Sequence, residues 1–207
     1  MNVTVLGSTG RTGRLVLAEA VRRGHEVTAF TRRPEALPVA PAPAAVVTGD
    51  GRDPERVRKA VGGADAVIAI LAAAGRKGPH HIAAVARVLA DVMPEAGARR
   101  LVVTSAYPIV AEQPRVPLAL LRRLFADAYA DAARMEEIVS ASGLDWTIVR
   151  LNRLTDRPAR GGVRISRGLF DRPAPITRAD AAATLLDALV DPAYARTAVN
   201  LAGGVPR

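Results

Sequence analysis

The chain has 207 residues, 49% of them hydrophobic but only 3% aromatic, with a formal net charge of +9 and no cysteine. That length fits one large domain with a core of Ala, Val, Leu and Ile, and the missing cysteine excludes disulfides and thiol chemistry. No apolar run reaches the roughly 18 residues a membrane-spanning helix needs, and the N-terminus reads as a strand with no leader pattern, so a cytoplasmic protein without a membrane partner is expected.

The charge is carried almost wholly by arginine, the only lysines being Lys59 and Lys77. The arginines are scattered along the chain with no long block. They are read mainly as solvated surface, not as the footprint of a nucleic-acid partner.

In chain order, Val3–Leu6 reads as a strand and Arg11–Arg23 as a helix with Leu15, Val16, Ala18, Ala20 and Val21 roughly on one side, ended by Gly24. Glu26–Phe30 is the second strand, followed by a Pro-rich loop, and Ala45–Thr48 is the third. Asp53-Pro54 reads as an N-cap and first helical position for Pro54–Val61. "DAVIAIL", Asp65–Leu71, is almost continuously apolar, as suits a parallel strand buried on both faces. A helix from about Pro79 to Glu95 precedes the strand Arg100–Ser105. A loop to about Pro117 then leads into helical sequence to Ser142, with a break near Asp127. Asp145–Val149 is a strand, Leu151–Pro175 is irregular around a short strand at Val163–Ser166, Arg178–Val190 is a helix and Thr197–Leu201 the last strand. This alternation predicts one doubly wound, Rossmann-type α/β domain over residues 1–207, with about 151–176 forming a small cap on the substrate side.

The first strand runs directly into Gly7-x-x-Gly10-x-x-Gly13. Gly7 suits the sharp turn off the strand, Gly10 leaves room for a pyrophosphate to reach the backbone, and Gly13 lets the helix pack closely. The open N–H groups at the helix start then favour a phosphate. The whole loop, including Ser8, Thr9, Arg11 and Thr12, is assigned to binding a dinucleotide. NAD-selective folds place an acid at the end of the second strand; here "AFTRRP" puts Thr31, Arg32 and Arg33 there. A guanidinium at that place meets a 2′-phosphate with a charge-assisted fork, so NADP(H) is the expected cofactor. Asp50, beside Gly51 at the edge of the third strand, is a candidate acceptor for the adenine amino group or a turn former.

The stretches "VLGSTGRTG", "TRRPEAL", "VTGDGRDPERVRKAVGGADAVIAIL", "LVVTSAY", "SGLDWTIVRL" and "ITRADAAATLLDAL" resemble, in order and over nearly the whole chain, the atypical short-chain dehydrogenase/reductases. The nearest resemblance is to the NAD(P)H-binding group that includes biliverdin reductase B, a flavin reductase, and the NmrA-like proteins. In open parallel sheets ligands lie across the carboxyl ends of the strands. Those ends bring forward Leu71, Ala72, Thr104, Ser105 and Tyr107, which the resemblance places around the nicotinamide. Ser105 and Tyr107 are the candidate catalytic residues.

The Tyr-x-x-x-Lys pair of the usual short-chain reductases is missing. No lysine follows Lys77, Tyr129 is followed four positions on by Ala133, and Asp131, Ala132 and Ala133 stand where many atypical members keep a lysine. A proton would come from solvent, or from Tyr107 or Ser105. Flavins, quinones and linear tetrapyrroles fit that chemistry. His80 and His81 are read as cap and surface residues, no metal site is expected, and Trp146 is assigned to the core. The sequence thus predicts an NADPH-dependent reductase of a small conjugated acceptor, monomeric or homodimeric. The alternative is a non-catalytic NADP-binding sensor; an epimerase or lyase would need a proton-transfer residue not found.

Overall fold

A computed structural model describes residues 1–73, 75 and 80–204. Seven strands lie parallel: β1 (Asn2–Leu6), β2 (Glu26–Thr31), β3 (Ala45–Thr48), β4 (Ala66–Ala69), β5 (Arg100–Ala106), β6 (Asp145–Leu151) and β10 (Thr197–Ala202). Together with the antiparallel edge strand β8 (Arg164–Ser166) they make one eight-stranded sheet of order β3-β2-β1-β4-β5-β6-β10-β8. The chain winds outward from β1 to β3, then crosses back to β4 and winds the other way. This is the expected doubly wound arrangement. The reversal leaves a crevice at the carboxyl ends of β1 and β4.

Strand alternation decides which helices cover which face, because successive side chains point to opposite sides. Val3, Val5, Ala66, Ile68 and Val102 point to one side, where α1 (Arg11–Arg22) and α6 (Arg178–Val190) bring Val16, Leu17, Ala181, Leu185 and Leu186. Leu6, Val67, Ala69, Leu101 and Val103 point to the other, where α2 (Pro54–Val61), α3 (Ile82–Glu95) and α5 (Ala126–Ser140) bring Val57, Leu89, Met93, Met135 and Val139. Thr4, on that second side, is buried because its hydroxyl donates to the Ala60 carbonyl at 2.6 Å. Trp146 packs against the same core but is only half-buried.

Several boundaries differ from the sequence reading for local reasons. The regular part of β4 is shorter than Asp65–Leu71. Asp65 instead accepts the Asn2 N–H at 2.7 Å, while Leu71 is held by Thr104. Pro79, the expected start of the third helix, lies outside the described residues, and α3 begins at Ile82. The helix α4 (Arg115–Leu124) starts before Pro117, since a proline in the first turn forfeits only an N–H with no intrahelical partner. The break before α5 falls at Phe125, two residues earlier than expected. The segment after β6 carries β7 (Leu154–Thr155), paired with β9 (Ile176–Thr177), and β8 begins one residue after the expected Val163. No helix among the described residues is long and apolar enough to cross a membrane.

Candidate dinucleotide site

The crevice at the sheet's carboxyl edge is a cleft of about 330 Å³. Its walls are Gly7, Thr9 and Gly10 after β1, Thr31 to Arg33 after β2, Gly49 to Arg52 after β3, Ile70 to Ala73 after β4, and His80 to Ile82 at the start of α3. A shallower depression of about 480 Å³ lies between α3 and α5 around Arg87, Asp91, Arg134 and Glu137, and holds none of the motif residues.

The three glycines are required for different reasons. Gly7 has φ +77°, and a Cβ there would lie 2.5 Å from the Ile70 carbonyl oxygen. At Gly13 a Cβ would fall 2.1 Å from the Gly7 carbonyl oxygen, so this glycine seats α1 on the loop. Gly10 differs: its backbone is extended (φ −70°, ψ 162°), and a Cβ would meet only the Gly7 carbonyl oxygen, at 3.3 Å. The chain's own packing therefore asks much less of Gly10 than of its neighbours, and its missing side chain opens space toward the cleft. No side chain caps α1 and no acid stands in its first turn. Its first N–H groups are thus open to an anion.

Arg32 and Arg33 are exposed on the cleft wall, and neither guanidinium has a hydrogen-bond or ion-pair partner among the described residues. Thr31 fixes the turn that presents them: its hydroxyl bonds to that of Thr9 at 2.8 Å and accepts the Arg33 N–H at 3.1 Å. Asp50 also lines the cleft, but Arg52 grips its carboxylate with two side-chain bonds, at 3.0 and 2.8 Å, and adds its own N–H at 2.9 Å. These bonds, led by the guanidinium, hold the Asp50 carboxyl far below the usual carboxylate range. Gly51 packs on α3, where a Cβ would lie 3.0 Å from both Val85 methyl carbons.

Ser8, Arg11 and Thr12, expected to touch the cofactor, stand outside the cleft lining. Ser8 is fully buried and donates to the Phe30 carbonyl at 3.2 Å. Thr12 is buried in the first turn of α1. Arg11 turns toward the cap and pairs with Asp156 at 3.0 Å. Leu71 and Ala72 line the cleft, and Thr104 braces them from β5, donating to the Leu71 carbonyl at 3.1 Å and accepting its N–H at 3.0 Å.

At the end of β5 the Ser105 hydroxyl donates to Glu136 at 2.6 Å. Arg150 holds the same carboxylate with three bonds of 3.0, 3.1 and 2.6 Å. With its proton committed to Glu136, Ser105 has only oxygen lone pairs left for a further partner, and it stands mostly buried outside the cleft lining. Tyr107, expected beside the nicotinamide as a proton source, is 1% exposed and its oxygen accepts the Phe170 N–H at 2.8 Å. The ring packs against Phe170 with centroids 5.7 Å apart. The hydroxyl also donates to the Phe170 carbonyl at 3.4 Å, so it is spent on holding the cap in place.

A family profile described as NAD(P)H-binding matches residues 7–192. The chain belongs to this NAD(P)H-binding family. The uncharacterized proteins Rv2047c of Mycobacterium tuberculosis (strain ATCC 25618 / H37Rv) and Mb2073c of Mycobacterium bovis are each 30% identical over 98% of the chain, which spans only 22% of their length. Among solved structures, a short-chain dehydrogenase/reductase from Veillonella parvula DSM 2008 superposes with TM-score 0.84 at 18% identity, covering 98% of this chain and 94% of that one. A wide-type member from the same organism, in complex with NADP, gives TM-score 0.80 at 19% identity, covering 99% and 94%. ChuY, an anaerobillin reductase from Escherichia coli O157:H7, gives TM-score 0.80 at 21% identity, covering 100% and 99%. The fold is thus that of the short-chain dehydrogenase/reductases.

Several residues of this NAD(P)H-binding chain were not picked out by sequence reasoning. Arg52 is one, although its spacing of two from Asp50 could have signalled the pair. Glu136 and Arg150 are others. Asp131 accepts the Ile82 and Ala83 N–H groups at 2.7 and 3.3 Å, capping α3 from α5. The capping role expected of the histidines therefore falls to an aspartate: His81 occupies the N-cap position but its side chain makes no capping bond, its Nε2 instead pairing with Arg52 Nη1 at 3.3 Å. His80 is half-buried. Both its ring nitrogens are buried without a partner among the described residues, in the wall of the cleft.

Proposed function

We propose that the protein is an NADPH-dependent reductase of a small conjugated acceptor such as a flavin or quinone. The observation that carries this reading is the pair of unpartnered guanidinium groups, Arg32 and Arg33, on the wall of a cleft whose glycine loop leaves the α1 amide groups uncapped.

The residues present fit the dinucleotide. The open amides of α1 and the space beside Gly10 would hold the pyrophosphate, and Arg32 and Arg33 would hold the 2′-phosphate. Bound NADPH supplies a hydride, two electrons with one proton, to the acceptor. Leu71 and Ala72, braced by Thr104, form the floor under the reacting end. Ser105, fixed by Glu136 and Arg150 at the end of β5, would be the hydrogen-bond acceptor nearest in the fold for orienting a carboxamide. The second proton comes from solvent, because the buried Tyr107 hydroxyl donates to the Phe170 carbonyl and no tyrosine–lysine pair exists in the sequence. Acceptors whose reduced products are stabilised by conjugation suit such a site.

The test is oxidation of NADPH, followed at the nicotinamide absorbance, against flavins, quinones and enones. Reduction of at least one class supports the proposal. Tight NADPH binding with no acceptor reduced favours a cofactor-sensing protein, for which the missing acid–base pair is the supporting observation.

A further inference from the structure

Although the arginines form no long block, one segment of the chain is enriched in them. The segment between Asn152 and Thr177 contains six arginines and two aspartates. It leaves the carboxyl end of β6, so it starts on the same edge of the sheet as the glycine loop. Its position there is fixed by several contacts. β7 pairs with β9, and the Asn152 side chain donates to the Ala174 carbonyl at 2.9 Å. Asp156 pairs with Arg11 of the glycine loop at 3.0 Å and with Arg178 at 2.6 Å.

Two of the six arginines are used internally. Arg164 lies 4.7 Å over the Phe170 ring and donates to the Arg172 carbonyl, and Arg167 donates to the Ala193 carbonyl at 3.0 Å. The side chains of Arg153, Arg157, Arg160 and Arg172 are exposed and have no acceptor among the described residues. Asp156 cannot neutralise them, because its two oxygens are occupied by Arg11 and Arg178. Asp171, beside Arg172, and Asp180, which accepts the Arg160 and Gly161 N–H groups, offset part of this charge, so the cap is left with a surplus of positive charge on the segment that leaves the carboxyl end of β6. Such a charge raises the local concentration of anions and orients their approach.

We infer that the acceptor is itself an anion: a conjugated molecule carrying phosphate, sulfonate or carboxylate groups, which the cap arginines hold while the conjugated part reaches the strand ends. This rests on the reductase reading. The anion in question belongs to the acceptor and not to the cofactor, whose phosphates fall to the α1 amides and Arg32 and Arg33.

FMN and riboflavin share one ring system and differ by a phosphate, so they isolate the charge. Their binding to the NADP⁺-loaded protein is read by quenching of flavin fluorescence, at low ionic strength and in 0.5 M salt. FMN is expected to bind at least about tenfold tighter than riboflavin at low ionic strength, with the advantage shrinking in salt. The R153Q/R157Q/R160Q/R172Q variant is expected to lose most of the advantage while NADPH affinity stays unchanged. Equal binding of the two flavins to the parent protein, or an advantage that survives both salt and substitution, overturns the inference. The salt comparison needs no variant. A charge preference without turnover of any acceptor preserves the anion site and removes the reductase reading; turnover without a charge preference does the reverse.

Discussion

The Ser105 hydroxyl donates to Glu136 at 2.6 Å across 31 positions of sequence, and Arg150 closes on the same carboxylate from the neighbouring strand. The carboxylate and the guanidinium are both mostly buried, with 12% and 17% of their side chains exposed. Glu136→Gln keeps the shape but leaves Arg150 without its charge. Loss of one partner of such a pair is expected to lower stability by about 1–3 kcal/mol, read as a reduced urea midpoint. Turnover should fall along with it, since Ser105 is freed from its fixed orientation. Unchanged stability and rate would mean that the network orients nothing.

Tyr107→Phe separates structure from catalysis. The variant leaves the buried Phe170 N–H without its acceptor, an expected loss of about 1–3 kcal/mol in unfolding free energy. The rate with a conjugated acceptor is expected to fall less than about tenfold, and Tyr129→Phe to change it little. A loss in the 10²–10⁴-fold range typical of general acid catalysis, with NADPH affinity unchanged, would identify a proton donor that solvent does not replace.

Gly10→Val should abolish dinucleotide binding in a folded protein. The extended backbone at this position accepts valine, and the nearest atom to the new Cβ is a carbonyl oxygen at 3.3 Å. The branched methyl groups occupy the space a pyrophosphate needs. Circular dichroism and calorimetric titration check the two halves of this expectation; unchanged affinity in a folded variant would reduce the loop to a turn.

The local part of this molecule was legible in its sequence. The first strand and the glycine loop are contiguous, and their conformation follows from backbone turns and helix ends; Arg32 and Arg33 stand on the cleft wall where their place after β2 put them. The missed features join distant positions: Asp131 caps Ile82 from 49 residues away, and Arg11 reaches Asp156 across 145. Such pairings are set by how the layers stack, not by local propensity. The same is true of Tyr107, whose position just past β5 suggested chemistry, although the cap folds over and takes its hydroxyl. The cap arginines share one contiguous segment of sequence, but that the segment pairs back through β7 and β9 after leaving the carboxyl end of β6 is set by the fold.

Acid sensitivity has a named contributor on α1. Glu19 accepts from Arg22 and Arg23, and the Arg22 bond chiefly holds its carboxyl at about 2 against an ordinary 4.5. Because the folded value lies below the unfolded one, this contribution is complete above pH 4.5 and is lost as pH falls toward 2. Glu19→Gln should flatten that part of the stability profile in denaturant titrations between pH 5 and pH 2.5; an identical acid limb would place the sensitivity elsewhere.

The paired arginines make the cofactor choice measurable. A 2′-phosphate held by charge-assisted bonds contributes on the order of 2–3 kcal/mol, or roughly 30- to 150-fold in affinity. Arg32→Ala combined with Arg33→Ala is expected to weaken NADPH by that factor and to leave NADH nearly unchanged. Equal losses for both cofactors would assign the arginines to the loop surface.

The most direct test of the whole reading is kcat/KM for NADPH and for NADH in the parent protein, with whichever flavin or quinone is reduced fastest. The expected result is turnover with NADPH favoured by at least about tenfold, in keeping with the 2′-phosphate contribution. A preference for NADH, or no turnover of any acceptor by a protein that binds NADPH tightly, would contradict it.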